Sequence, residues 1–260
     1  MGKFLFVQPH PDDLELNCGQ ILHYLSKKID IADIQIISVT KGEFGLPGPQ
    51  YDKFKGKFLA KVRERELENA MAIHGIPPEN IFYFGYIDGY VPFNQEIINK
   101  FTVFLSENRP DVIFAPEPLY TNYVHNDHVN SGRAVYYVLH HNLIDNYTPK
   151  LLVYQTLWPN FYFPFNKKDY EVTDRLLACH KTQFWLLNRM KIFNKIMARR
   201  SGMSIPGWKF AESFRRIQYD SITSPKRIIK IPLNVKIFYR FYWAHKSWYD
   251  AKYPLSEVEL

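Results

Sequence analysis

The chain has 260 residues, 46% of them hydrophobic, enough for one sizeable core and near the length at which chains begin to divide. Its two cysteines, Cys18 and Cys179, lack CxxC spacing, which argues against a cysteine zinc site or a disulfide framework and for a reducing compartment. No run approaches the roughly 18 to 20 apolar residues of a membrane span, and the short apolar start runs straight into a polar motif instead of a cleavable leader. A soluble or membrane-peripheral cytoplasmic protein is expected.

In chain order, short apolar runs at residues 4–7, 34–39, 81–84, 112–115 and 151–156 read as strands. The segments at about 19–28, 57–74, 94–108 and 128–141 read as amphipathic helices, and the Gly- and Pro-punctuated 45–49 as a loop able to wall a pocket. This alternation predicts parallel βαβ units. The fold class is therefore α/β: a Rossmann-like three-layer sandwich with a mostly parallel sheet, without a GxGxxG turn. A further helix is expected at about 174–193. The chain divides into a domain at 1–224 and a basic, aromatic C-terminal extension at 225–260.

Two clusters of chemically capable side chains follow predicted strands, where open α/β sheets place their sites. His10, Asp12 and Asp13 lie within four residues after the first strand, stiffened by Pro9 and Pro11. Two such groups can hold an ion while a third takes a proton from the water it polarises. A bland alternative is an Asx turn in which Asp12 or Asp13 caps a helix starting near Leu14. The second cluster, His125, Asp127 and His128, follows the fourth strand; alone it reads as a solvated loop or polar decoration of a helix.

Together the clusters resemble the PIG-L/LmbE superfamily of zinc-dependent N-acetylglucosaminyl de-N-acetylases. The superfamily's AHPDDE motif corresponds to Pro9 through Leu14 and its HxDH motif to His125 through His128. Weaker similarities are Thr40 through Gly45, Arg63 through Glu66 with Ala70, Asp88 with Gly89, Cys179 through Gln183, and Ala211 through Phe214. Departures are Pro9 for a small residue, Leu14 for an acid with Glu15 one position late, and Thr182 for serine. The departure at Leu14 is expected to change the bonding around the metal ligands while sparing the ligands themselves.

The resemblance implies that His10, Asp13 and His128 hold zinc, or another divalent metal, with an open position for water and substrate. Asp12 would be the general base. His125 would stabilise the oxyanion and protonate the leaving amine, and Asp127 would orient His125 through its other ring nitrogen. Arg63, Glu43, Asp88 and His180 would line the substrate cleft; the bland readings are a surface salt bridge for Arg63 and a core imidazole for His180. The other histidines, including His140 and His141, read as structural.

The carboxyl-terminal third differs in charge. Residues 187–252 hold fifteen Lys and Arg against three acids, a net +12, so that of the overall +7 the remainder carries −5. Aromatics interleave with this charge, most densely between Phe238 and Tyr249. The mixture suits a packing extension first, an anionic membrane contacted through residues 225–252 second, and nucleic acid a distant third. The implied partner is an amino-sugar substrate or glycoconjugate, with a homo-oligomer also open. The activity expected is hydrolytic removal of an N-acetyl group, against the alternative of a non-catalytic, metal-binding interaction protein of the same fold.

Overall fold

The computed structural model describes residues 2–46, 49–123 and 125–217. The expected boundary at 224 and the extension beyond it lie outside the described residues. The elements run β1 (Phe4–Gln8), α1 (Asp13–Asn17), α2 (Gly19–Ser26), β2 (Ile34–Thr40), α3 (Lys57–Ile73), β3 (Ile81–Tyr86), α4 (Gln95–Asn108), β4 (Val112–Pro116), α5 (Asn126–His140), β5 (Lys150–Tyr154), β6 (Phe161–Phe165), α6 (Tyr170–Leu177), α7 (Phe184–Gly202) and β7 (Phe210–Ile217).

One seven-stranded sheet has the order β3-β2-β1-β4-β5-β7-β6. The first five strands are parallel, and β7 runs antiparallel to both β5 and β6. The α/β class with a mostly parallel sheet is thus as expected, while β6 and β7 add an antiparallel edge. Strand alternation divides the core between two faces. Leu5, Val7, Ile113 and Ala115 pack with Ile97, Phe101 and Val135 of α4 and α5. Phe6 and Phe114, stacked with centroids 4.6 Å apart, pack with Leu22, Leu67 and Leu176 on the opposite face, under α2, α3 and α6.

The sheet reverses its winding between β1 and β4, which are neighbours in it. That crevice at the carboxyl ends of parallel strands is the usual place for a ligand in this architecture. Gly132 lets α5 approach it closely, since a Cβ there would collide with the carbonyl of Pro116.

The single helix expected at 174–193 is two helices. Between them the backbone N–H and hydroxyl of Thr182 both donate to the Glu66 carboxylate on α3, at 2.8 and 2.6 Å. This takes the Thr182 amide out of any helical ladder and fixes His180 in a buried connection instead of on a helix face. No helix among the described residues is long and apolar enough to cross a membrane.

Candidate metal centre and active site

The first cluster is built by the turn leaving β1. Thr40, at the end of β2, donates from its N–H and its hydroxyl to the carbonyl of Pro9, at 2.9 and 2.8 Å. The next carbonyl, of His10, accepts from the N–H of Asp12 and of Asp13. Asp13 Oδ2 in turn accepts from the His10 N–H at 2.9 Å. Asp12 occupies the N-cap position of α1 without a side-chain capping bond, so its carboxylate is left for other work. The second cluster begins α5, beside the end of β4.

The two clusters meet. His10 Nδ1 lies 3.4 Å from Asp13 Oδ2 and 3.3 Å from His128 Nε2, which is itself 3.3 Å from Asp13 Oδ1. Ligand atoms about 2.0 to 2.1 Å from an ion at tetrahedral angles stand about 3.3 Å from one another, so the spacing of these residues suits an ion of zinc's size, with Asp13 turning one oxygen to each imidazole. All three residues are buried. Each imidazole is also fixed by its second nitrogen: His10 Nε2 meets Asp127 Oδ2 at 3.0 Å and Asp88 Oδ1 at 3.2 Å, and His128 Nδ1 meets Gln155 Oε1 at 2.8 Å. Such partners set which ring nitrogen is free for a metal.

The carboxylates make the pocket cation-seeking. Burial works against a charged His10, yet Asp88, Asp127 and Asp13 raise its pKa well above the ordinary imidazole value. Burial likewise pushes Asp13 up, but His128 and His10 outweigh it and hold the carboxyl at about 2. Asp88 is also held down against burial, chiefly by His10 and Arg63. His125 is different: burial and the neighbouring His10 lower it to about 3, so the ring is neutral near pH 7.

Neutrality fixes the tautomer of His125. Its Nδ1 accepts the backbone N–H of Asp127 at 3.2 Å, so the ring proton sits on Nε2 as a donor. Asp127 therefore positions His125 through its backbone, where a carboxylate bond was expected. Its carboxylate is bonded by His10 and by the N–H groups of Gly89 and Val91 at 2.6 and 3.1 Å.

Arg63 is not a surface residue. Only 2% exposed, it reaches from α3 to donate to Asp12 Oδ2 at 3.0 Å and to the Gly42 carbonyl at 3.0 Å. Gly42 has φ +64, and a Cβ there would run into the guanidinium, so both the turn and the close approach require glycine. Burial raises the Asp12 pKa and Asp13 adds to it, while Arg63, His180 and His10 pull it back. Asp88 also accepts the Phe44 N–H at 3.1 Å, tying the Lys41–Leu46 stretch to the pocket rim. Glu43 sits in this stretch, half-buried, with one carboxylate oxygen enclosed and without a hydrogen-bond partner. His180 is fully buried against Glu15 at 2.9 Å, and Glu15 with Asp12 raises its pKa against the effect of burial. Leu14, the departure from the acidic motif position, belongs to the core, and the displaced Glu15 serves His180.

Gln155 is the site residue the sequence reading missed. It follows β5 with a left-handed φ of 59, which turns its amide toward His128. A Gln near the end of a predicted parallel strand, in line with the other two clusters, was the available signal. A cavity of about 110 Å³ adjoins this side of the metal cluster; Tyr123 and Gln155, both in contact with His128, belong to its wall with Glu15, Glu212, Met190 and Met197.

Several known proteins are similar to this chain. A curated relative, the diacetylchitobiose deacetylase of Thermococcus kodakarensis, is 25% identical over 130 residues, 50% of this chain and 46% of the relative, so the match spans about half of that relative's length. Among solved structures, the N,N'-diacetylchitobiose deacetylase of Pyrococcus horikoshii superposes with a TM-score of 0.74 at 24% identity, covering 88% of this chain and 89% of the other. A conserved protein of Thermus thermophilus superposes at 0.67 and 24% identity, covering 87% and 99%. The PIG-L family model, described as GlcNAc-PI de-N-acetylase, matches residues 5–139, the stretch that holds both halves of the metal cluster, and the chain belongs to that family.

Proposed function

We propose that this chain is a metal-dependent de-N-acetylase that hydrolyses the N-acetyl amide of an N-acetylglucosamine-type amino sugar or its conjugate, releasing acetate and a free amine. The observation that carries this reading is the buried triad of His10, Asp13 and His128, with the carboxylate of Asp12 held beside it by Arg63. Three protein donors leave a coordination position open, as hydrolysis requires. Zinc suits two imidazoles and one carboxylate, and other divalent ions share that preference. When bound, such an ion polarises the acetyl carbonyl and lowers the pKa of a water to about 7.

The chain's own residues supply the rest. Asp12, its affinity for a proton raised by burial, accepts the proton of the attacking water, and Arg63 fixes the carboxylate so that one oxygen faces the reaction. His125 donates from Nε2 to the oxygen that becomes negative at the tetrahedral stage. The proton collected by Asp12 then passes to the departing nitrogen, while His125 keeps its single ring proton as a hydrogen-bond donor. Asp127 and Asp88 keep His10 oriented, and Gln155 keeps His128. Arg63, Glu43 and Asp88 wall one side of the cleft, where sugar hydroxyls would bind, with His180 behind Asp12. We assign the catalytic domain to residues 1–224. Both cysteines are free thiols, in accord with a reducing, cytoplasmic setting.

Acetate release from a panel of N-acetylglucosamine conjugates, by metal-loaded wild type and Asp12→Asn with metal content determined on both, tests the proposal. Turnover by the wild type alone, at equal metal, is the expected result. Metal bound with no acetate from any conjugate would favour the non-catalytic alternative, and no metal bound at all would remove the hydrolytic reading.

A further inference from the structure

Helix α7 has two dissimilar faces. Toward the protein it turns Met190, Asn194, Met197, Ala198 and Ser201, which wall the cavity beside the metal cluster. Outward it presents Ile192 at 67% exposure, Ile196 at 61% and, in the turn that follows, Met203 at 79%. These stand at spacings of four and seven, one stripe along a helix of 19 residues, about 28 Å long. The charge on this helix has one sign: Arg189, Lys191, Lys195, Arg199 and Arg200, with no acid. Lys191 is engaged by Asp174 of α6 and Lys195 lies over the Tyr170 ring at 5.6 Å, but Lys195, Arg199 and Arg200 are all exposed beside the isoleucines. Trp208, 38% exposed, and Lys209 follow within a few residues.

We propose that this outer face of α7 docks on an anionic lipid bilayer, with Ile192, Ile196 and Met203 entering the interface and Lys195, Arg199 and Arg200 meeting lipid phosphates and carboxylates. Charge decides among the occupants. A second copy placed face to face would set three cations of one protomer against three of the other, and like charges in such a contact are unfavourable. The segment 225–252 of the same chain is itself basic, with seven Lys and Arg against one acid, so it does not complement α7. Nucleic acid would satisfy the charge, but the stripe of Ile192, Ile196 and Met203 is aliphatic and offers bases no stacking surface. An anionic bilayer satisfies both components at once, in the manner of a surface-lying amphipathic helix. Docking here would set the cavity wall formed by Met190 and Met197 directly behind the lipid-facing surface.

Vesicle sedimentation of the full chain tests this without depending on turnover. Wild type is expected to pellet with phosphatidylserine/phosphatidylcholine vesicles, much less with pure phosphatidylcholine, and less in high salt. Ile192→Glu with Ile196→Glu should lower the partition coefficient by about tenfold or more, and Arg199→Gln with Arg200→Gln by about tenfold. The second pair changes only exposed positions, so it guards against misfolding in the first, and thermal melts are run on both. Failure of the wild type to pellet overturns the proposal. So does wild-type-like binding by both α7 variants, which would move the contact elsewhere, for example to Trp243 and Trp248. A dimer converted to monomer by the Ile pair, with no vesicle binding, would make the face a self-contact and equally overturn it.

Discussion

Two buried imidazoles in this molecule, His10 at the candidate metal cluster and His74 between α2 and α3, have opposite electrostatics. At the end of β1 and β4, His10 is surrounded by Asp13, Asp88 and Asp127, which raise its pKa in spite of burial. Between α2 and α3, His23 and His74 face each other with Nδ1 atoms 3.3 Å apart, and burial followed by cationic neighbours lowers His74 to about 3. Burial is common to both. The difference lies in the sign of the neighbouring charge: carboxylates gather a cation, whereas Lys27 and a second imidazole keep the other pair neutral. Among the described residues, only the group around His10 has an acid that completes a donor set able to hold a metal.

The largest effects should come from removing that acid. Asp13→Ala or His128→Ala takes away a donor and should lower metal affinity by about 100-fold or more, measured by competition with a chelating dye, while His74→Ala leaves metal content unchanged. Metal loss from both kinds of variant would erase the distinction. Asp12→Asn should retain metal yet lose about 100- to 10,000-fold in kcat for acetate release. Arg63→Gln comes next, at about tenfold to 100-fold in kcat, because it leaves the Asp12 carboxylate unfixed and buried beside Asp13. Arg63→Lys keeps the charge but not the forked contacts to Asp12 and Gly42, so it should recover only part of the loss.

The clustering of His10, Asp13 and His128 was legible in the sequence because local spacing carries it. The three proposed donors and the proposed base fall in two runs of four residues, and apolar alternation placed both runs at strand ends. Other features depend on contacts across long separations. Arg63 is one of seven charged residues on α3, so its burial against Asp12, 51 residues earlier, has no local signature. β6 contains Pro164 and β7 reads Phe-Ala-Glu-Ser-Phe-Arg-Arg-Ile, with polar residues that weaken the strand pattern. Both form as an antiparallel edge supported by pairing with β5 and by the Glu117–Arg215 ion pair. Gln155 had only its place near a strand end as a signal, since its contact with His128 follows from a left-handed backbone turn. The helix expected at 174–193 failed at Thr182, whose bonds to Glu66 outweigh continued helix.

The neutral pair supplies the smallest predicted effect, and one of definite sign. His74 is bound neutral in the fold, with its pKa lowered from 6.5 to about 3, so the unfolded chain takes up a proton first as pH falls. The stability this contributes is fully present above the unfolded value near 6.5 and is lost progressively between 6.5 and about 3. Between pH 7 and pH 5 the loss from this one group is about 2 kcal/mol. His74→Asn should lower stability at pH 7 but flatten the acid limb of a denaturant-midpoint profile against pH. The carboxylate-surrounded His10 cannot produce that limb, because a raised pKa favours the folded state as protons are added. An unchanged slope in His74→Asn would place the acid sensitivity elsewhere, His125 included, since burial and His10 lower its pKa to about 3 as well.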